Sequence, residues 1–362
     1  MASEDAKTGE SAATPPPIVA PVEVAALPQV SGFTLLEKIY EGTVCTVFKA
    51  RQDRLGRLVA LKLLPEWPPP NDVALERFNR SVYVSSQVVH ANLPVLFESG
   101  TRDGYHLVAQ EFIPGRTLQK ILDENGRVTE HRAILLGLQV AQALEALHAR
   151  NIIHRNVKPK NLLIEPSGKV KLVGAGLAKL PGSVPSAKNL DERTLGTPHY
   201  MAPEMIRGCC TDARCDLYAL GVTLYVLVTG KPLFGKGIPA AIMAKHLYEQ
   251  PKPVRELAPD ISPEFAELVT QLLIKCPKAR ISSAKEVVER LEKLAARPEP
   301  YVTPGKSAKP DEKSESAPAA KLSAAWQSIP AVIWAFALLG MATLALLAGV
   351  GAATMLRIFW SH

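Results

Sequence analysis

His154-Arg155-Asn156-Val157-Lys158-Pro159-Lys160-Asn161 is one of the two stretches on which the reading turns; the other is Lys171-Leu172-Val173-Gly174-Ala175-Gly176-Leu177-Ala178. The first gathers a histidine, an arginine, two lysines and two asparagines around a proline. The second sets a small Gly-Ala-Gly step after an apolar run. Neither contains Asp or Glu. The pair therefore offers cations and neutral amides. It offers no carboxylate to act as a general base or to hold a divalent cation.

Both stretches lie inside a globular region. From about residue 33 to residue 294 the chain reads first as strands, then as helices. Residues 33–40, 44–50 and 58–64 are β-branched or apolar runs separated by turn-like stretches. Residues 75–89 follow as a helix, and 93–97 and 106–112 as further strands. Beyond Gly115 the pattern is mostly helical. Residues 130–150 carry Leu135, Leu138, Val140, Ala141, Leu144 and Leu147 at helical spacing. Later helical runs are 212–229, 238–248, 262–274 and 283–294. Strands followed by a larger helical part predict an α+β fold in two lobes.

Composition bounds the rest. The 362 residues carry 42 Lys+Arg against 35 Asp+Glu, a formal charge of +7. An apolar share of 47% excludes a fully disordered chain. Five cysteines in this length exclude a disulfide scaffold, and Cys209, Cys210 and Cys215 lack zinc-site spacing. No Lys/Arg cluster interleaves with aromatics in the manner of a nucleic-acid module, so no nucleic acid is expected as a partner.

Mean hydropathy is +0.06, high for a chain with 30 prolines and this much charge. The source is the run 329–356, which has no charged residue and exceeds the length that crosses a bilayer. Trp326, Trp334 and Trp360 flank or enter it. Lys306, Lys309, Lys313 and Lys321 precede it, and Arg357 follows. This predicts a single-pass membrane helix over 329–357 with the preceding domain in the cytoplasm. The expected order is a disordered Ala/Pro-rich arm over 1–31, a domain over 32–295 and a linker over 296–328. The span and a short tail over 358–362 complete it. The arm begins acidic and has no apolar segment before a cleavage site, so it does not read as a secretory leader.

Between residues 33 and 280 the motifs, in order and spacing, resemble the protein kinases, specifically the bacterial eukaryotic-like Ser/Thr type. Val59-Ala60-Leu61-Lys62 is similar to the strand V-A-I-K, whose lysine meets nucleotide phosphates. His154–Asn161 is similar to H-R-D-x-K-P-x-N, and residues 171–178 to K-L-x-D-F-G-L-A. Gly196-Thr197-Pro198-His199-Tyr200-Met201-Ala202-Pro203-Glu204 matches the end of the family's activation segment. Asp216-Leu217-Tyr218-Ala219-Leu220-Gly221 and Arg280 match elements that build the large lobe. The resemblance implies a two-lobed kinase fold and protein partners. It also implies a nucleotide slot of Val47, Ala60 and Leu163, with Gln110 as gatekeeper and Glu111 opening the hinge.

The departures concern the chemistry. In Tyr40-Glu41-Gly42-Thr43-Val44-Cys45-Thr46-Val47 only Gly42 remains of the three glycines that roof the phosphates. Arg77-Phe78-Asn79-Arg80-Ser81, with His90-Ala91-Asn92-Leu93 fixing the register, puts Ser81 where the family has the Glu that pairs with the strand lysine. Asn156 replaces the catalytic Asp, a loss worth about 10²–10⁴ in rate for a general base. Gly174 replaces the Asp that holds Mg²⁺, and Ala175 the Phe beside it. Lys62, Lys158 and Asn161 (by resemblance a metal ligand) are retained. Two readings follow. One is a membrane-anchored pseudokinase that scaffolds or regulates partners and binds ATP with weak or absent Mg²⁺. The other is a divergent but active Ser/Thr kinase.

Overall fold

A computed structural model describes residues 27–42, 44–67, 72–182, 198–209 and 211–297. The chain divides into two units, Met1–Pro300 and Tyr301–His362, and every described residue belongs to the first. Most of the expected arm and linker, the apolar run and the tail lie outside the described residues. Among the described residues, no helix is long and apolar enough to cross a membrane.

The small lobe follows from alternation. Strand β3 (Arg57–Pro65) sends Val59, Leu61 and Leu63 to one face, where they are fully or almost fully buried. Ala60, Lys62 and Leu64 point to the other face, as a period of two requires. β3 pairs antiparallel with β2 (Thr46–Gln52) and with β5 (Tyr105–Glu111). Flanked by β1 (Phe33–Glu41) and β4 (Leu96–Arg102), these make a five-stranded sheet in the order β1-β2-β3-β5-β4. One face packs on Val30, Phe33, Phe48, Ala50 and Leu107, so Val30 already belongs to the domain core. The opposite face meets helix α1 (Asp72–Gln87) through Leu64, Phe78 and Val108. The strand expected at 93–97 begins instead at Leu96, because the Leu93 N–H closes a turn onto the His90 carbonyl at 3.0 Å.

Below the sheet come short α2 (Leu118–Asn125) and α3 (Glu130–His148), the latter capped by the Thr129 hydroxyl. A three-stranded sheet then forms from β6 (Arg116–Thr117), β7 (Leu162–Ile164) and β8 (Val170–Leu172). The helices that follow are α4 (Pro203–Arg207), α5 (Arg214–Thr229), α6 (Pro239–Tyr248), α7 (Val254–Leu257), α8 (Pro263–Leu272) and α9 (Ala284–Ala295). α5 has fourteen of its sixteen residues buried, as expected of a helix apolar on nearly every side. α3, α8 and α9 enclose it through Leu144, Phe265, Leu272 and Leu291. The expected two-lobed α+β architecture is thus present in the described residues. The loop 154–161 leads into β7, and the segment 171–178 runs from β8 into a short turn that packs against α1 of the small lobe.

Candidate functional site

Lys62 stands on the inner face of β3, opposite Val47 of β2 and Val108 of β5. Ala60, two residues earlier, stands opposite Gln110. The sheet therefore brings four of the expected nucleotide residues to one surface. Among the described residues, no carboxylate pairs with Lys62. Burial pulls its ammonium below the ordinary lysine range, and the neighbouring Cys45 sulfur pulls weakly the other way. Ser81, on α1, aims its hydroxyl at its own helix and donates to the Phe78 carbonyl at 2.7 Å. Glu76, on another face of that helix, is engaged with Arg80 in an exposed pair. Among the described residues no counter-ion stands here, and none is supplied from the next turn.

Lys62, Ser81, Gln110, His154, Gly174 and Ala175 line one pocket beneath the sheet. Val84, Val88, Leu93 and Leu172 supply its apolar wall. Three of the departures read from the sequence thus meet in one place. Val47, Ala60 and Leu163 do not line this pocket. Leu163 lies half-buried in β7, opposite Lys171.

The roof is closed by its own backbone. The Gly42 N–H donates to the Cys45 carbonyl at 3.2 Å. The Tyr40 ring lies over Gly42, so that a β-carbon there would come within 2.6 Å of it. An amide already used in a turn is not offered to a phosphate. Cys45 is buried enough that its thiol is pushed up, away from thiolate.

Asn156, Asn161 and Gly174 form a closed set. Asn156 Nδ2 donates to the Gly174 carbonyl at 3.1 Å. Asn161 Nδ2 donates to the Asn156 carbonyl at 2.7 Å. The Val173 N–H donates to the Asn161 carbonyl at 2.9 Å. Gly174 has φ +85°, and a β-carbon there would lie 2.9 Å from the Asn161 amide. The Asn161 side chain therefore occupies the space that a larger residue at 174 would need. Asn161, expected as a metal ligand, has its amide fixed by the loop itself. Among the described residues, no group of three His, Cys, Asp or Glu side chains could hold a metal ion. Lys158 is half-buried, and burial and the neighbouring Lys160 both lower its pKa.

The support beneath the loop is complete. Asp216, fully buried, accepts from the backbone N–H of His154 at 2.8 Å and of Arg155 at 2.7 Å. His148 Nε2 lies 2.9 Å from the same carboxylate. Burial works against the Asp216 charge, yet His148, His154 and these hydrogen bonds hold it below the usual carboxylate range. This grip keeps Arg155 at φ +61°, a conformation non-glycine residues rarely adopt. His154 is pushed down to about 4, chiefly by burial, so its ring is neutral at pH 7.

The sequence reading missed Lys171. Its buried ammonium donates to Glu111 Oε2 at 2.6 Å and to the Leu93 carbonyl at 3.2 Å. The carboxylate of Glu111 is thereby turned onto β8, while its backbone N–H donates to the Val95 carbonyl at 2.8 Å. A separation of 60 residues hides that pair from any local pattern.

Known proteins agree with this geometry. The protein kinase domain family matches residues 33–291. A probable serine/threonine-protein kinase of Clostridium perfringens is 34% identical over 280 residues, covering 77% of this chain and 40% of that protein. A serine/threonine-protein kinase of Myxococcus xanthus is 35% identical over 70% of this chain and 48% of its own length. A probable serine/threonine-protein kinase of Corynebacterium glutamicum is 34% identical over 71% and 41%. The chain thus spans 40–48% of the length of these curated relatives. With two lobes, a strand-borne lysine and the catalytic-loop scaffold all in kinase order, the chain belongs to the protein kinase domain family.

Proposed function

We propose that this protein is a membrane-anchored member of its family that works by holding partner proteins and does not transfer phosphate. One observation carries the reading. The positions where the family places its three working carboxylates hold Ser81, Asn156 and Gly174. Asn156 has nearly the shape of Asp but no useful basicity, and it is used as a hydrogen-bond donor to Gly174. Effects of groups that act as a unit do not add, so one such loss would already impair transfer.

Family membership implies use of ATP, generally with Mg²⁺. The residues of this cleft suit the nucleotide better than the metal. Mg²⁺ is held by one or two carboxylates together with phosphate oxygens. At the positions beside Gly174 the chain presents only the neutral amides of Asn156 and Asn161, whose nitrogens are already bonded within the loop. The apolar run 329–356 and the lysines before it support a single-pass anchor with the kinase-fold domain in the cytoplasm.

The competing reading is a divergent active Ser/Thr kinase, favoured by the retention of Lys62, Lys158 and Asn161. The test is phosphate transfer from ATP by the purified full-length chain, to itself and to a general protein substrate. Mg²⁺ and Mn²⁺ are both tried, with Lys62→Ala as control. The expected outcome is no transfer above the control. Transfer that depends on Lys62 establishes the competing reading. For the anchor, the chain should stay with membranes through alkaline carbonate washing, whereas a chain ending at residue 328 should be released.

A further inference from the structure

We infer that the cleft is an anion site for a metal-free nucleoside polyphosphate, and that Mg²⁺ weakens its binding. The inference rests on the reading above, in which the cleft keeps a nucleotide and lacks the metal's carboxylates.

The argument is one of charge. Lys62 is an ammonium at the edge of a partly apolar pocket, and no carboxylate among the described residues accompanies it. Ser81, in the place of its expected partner, brings only a hydroxyl whose proton is committed to Phe78. Holding a half-buried charge without a counter-ion is costly. A ligand that brings negative charge to Lys62 removes that cost and is bound more tightly for it.

A divalent cation changes both terms in the same direction. Coordinated to the phosphates, it cancels two of the negative charges that Lys62 would otherwise meet. It also needs carboxylate oxygens from the protein, and Gly174 brings no side chain, while its carbonyl already accepts from Asn156. The groups aimed at each other there are amide donors, Asn161 Nδ2 toward Asn156 and Asn156 Nδ2 toward Gly174. The Asn161 Nδ2 is held by Asn156 at 2.7 Å, so this side chain has only a neutral amide oxygen to offer a metal.

The inference is tested by calorimetric titration of the purified full-length chain with ATP, ADP and AMP. Each is measured in EDTA and then at saturating Mg²⁺, with ionic strength held constant by NaCl so that screening does not mimic the effect. Expected are binding in EDTA, affinity in the order ATP, ADP, AMP, and ATP binding about tenfold weaker in Mg²⁺. Lys62→Met, with its fold checked by circular dichroism, should lose about tenfold or more in EDTA. The metal titration of the unaltered chain stands without that variant. Equal or tighter binding in Mg²⁺, or no binding in EDTA, overturns the inference. Tighter binding in Mg²⁺ without phosphate transfer overturns it alone and leaves the non-transferring reading intact. Tighter binding with Lys62-dependent transfer overturns both.

Discussion

The large-lobe scaffold and the cleft it supports have diverged unequally. In the scaffold the charged groups are paired. Arg280 meets Glu204 through two bonds, at 2.7 and 3.1 Å, and both side chains are buried. Asp216 holds two backbone amides and a histidine. In the cleft the carboxylates are gone and their neighbours have closed over the gap. A buried ion pair cannot lose one member without leaving an uncompensated charge, so the fold retains the pair. A carboxylate facing ligand can be lost with little cost to folding. The pattern is that of a chain whose large-lobe shape has been kept while the carboxylates at positions 81, 156 and 174 have not.

That contrast can be broken most forcefully at Arg280. Arg280→Met should destabilise the domain by about 3–5 kcal/mol, because Glu204 stays buried without its partner. Urea unfolding of the purified chain measures it, and a loss below about 1 kcal/mol would mean that the scaffold is as expendable as the cleft.

Acid should act on the same scaffold. His154 falls to about 4 and His246 to about 3, each from an ordinary value of 6.5 and each chiefly through burial. Both are neutral when folded and take up a proton on unfolding once the pH drops below about 6.5. The unfolded chain then binds more protons. Stability is therefore full above pH 6.5 and declines as the pH falls toward 4. The His154 contribution to that decline is about 3 kcal/mol at pH 4. His246→Gln should flatten part of the slope in thermal melts, and an unchanged slope would remove His246 from the account.

Restoring a carboxylate to the cleft gives a smaller effect. Gly174→Asp puts a β-carbon 2.9 Å from the Asn161 amide at a backbone φ of +85°. It should cost about 1–2 kcal/mol and should not restore transfer by itself, since Ser81 and Asn156 remain. A stable, active Gly174→Asp protein would show that the cleft had not repacked. The mildest case is Lys62→Met. Removing a half-buried ammonium that has no carboxylate partner among the described residues should raise stability by about 1 kcal/mol, or about 2–4 °C in Tm. A fall in Tm would mean that Lys62 has a partner in the fold.

Much of this was legible in the sequence. The run 58–64 read as a strand carrying Lys62, and β3 over Arg57–Pro65 bears this out. The helical spacing of 130–150 anticipated α3 to within two residues. The losses at Ser81, Asn156 and Gly174 needed only their place in the motifs. Three things were not legible. The sheet of β6, β7 and β8 is made of strands of two or three residues, too short for a period to show. The start of β4 was misplaced because a turn at His90 uses Leu93. The tie between Lys171 and Glu111 joins positions that share no local pattern.

The sequence alone determined the family, the two-lobed fold and the identity of the missing carboxylates, because motif order and residue type are local properties. Tertiary structure decided what became of the gaps. Folding brought Ser81, Gly174 and Ala175 to one pocket from distant points in the chain. It turned Asn161 into the space over Gly174 and bonded it to Asn156. It left Lys62 without a carboxylate among the described residues. Only packing sets which side chain fills a vacated volume and which charge is left facing it.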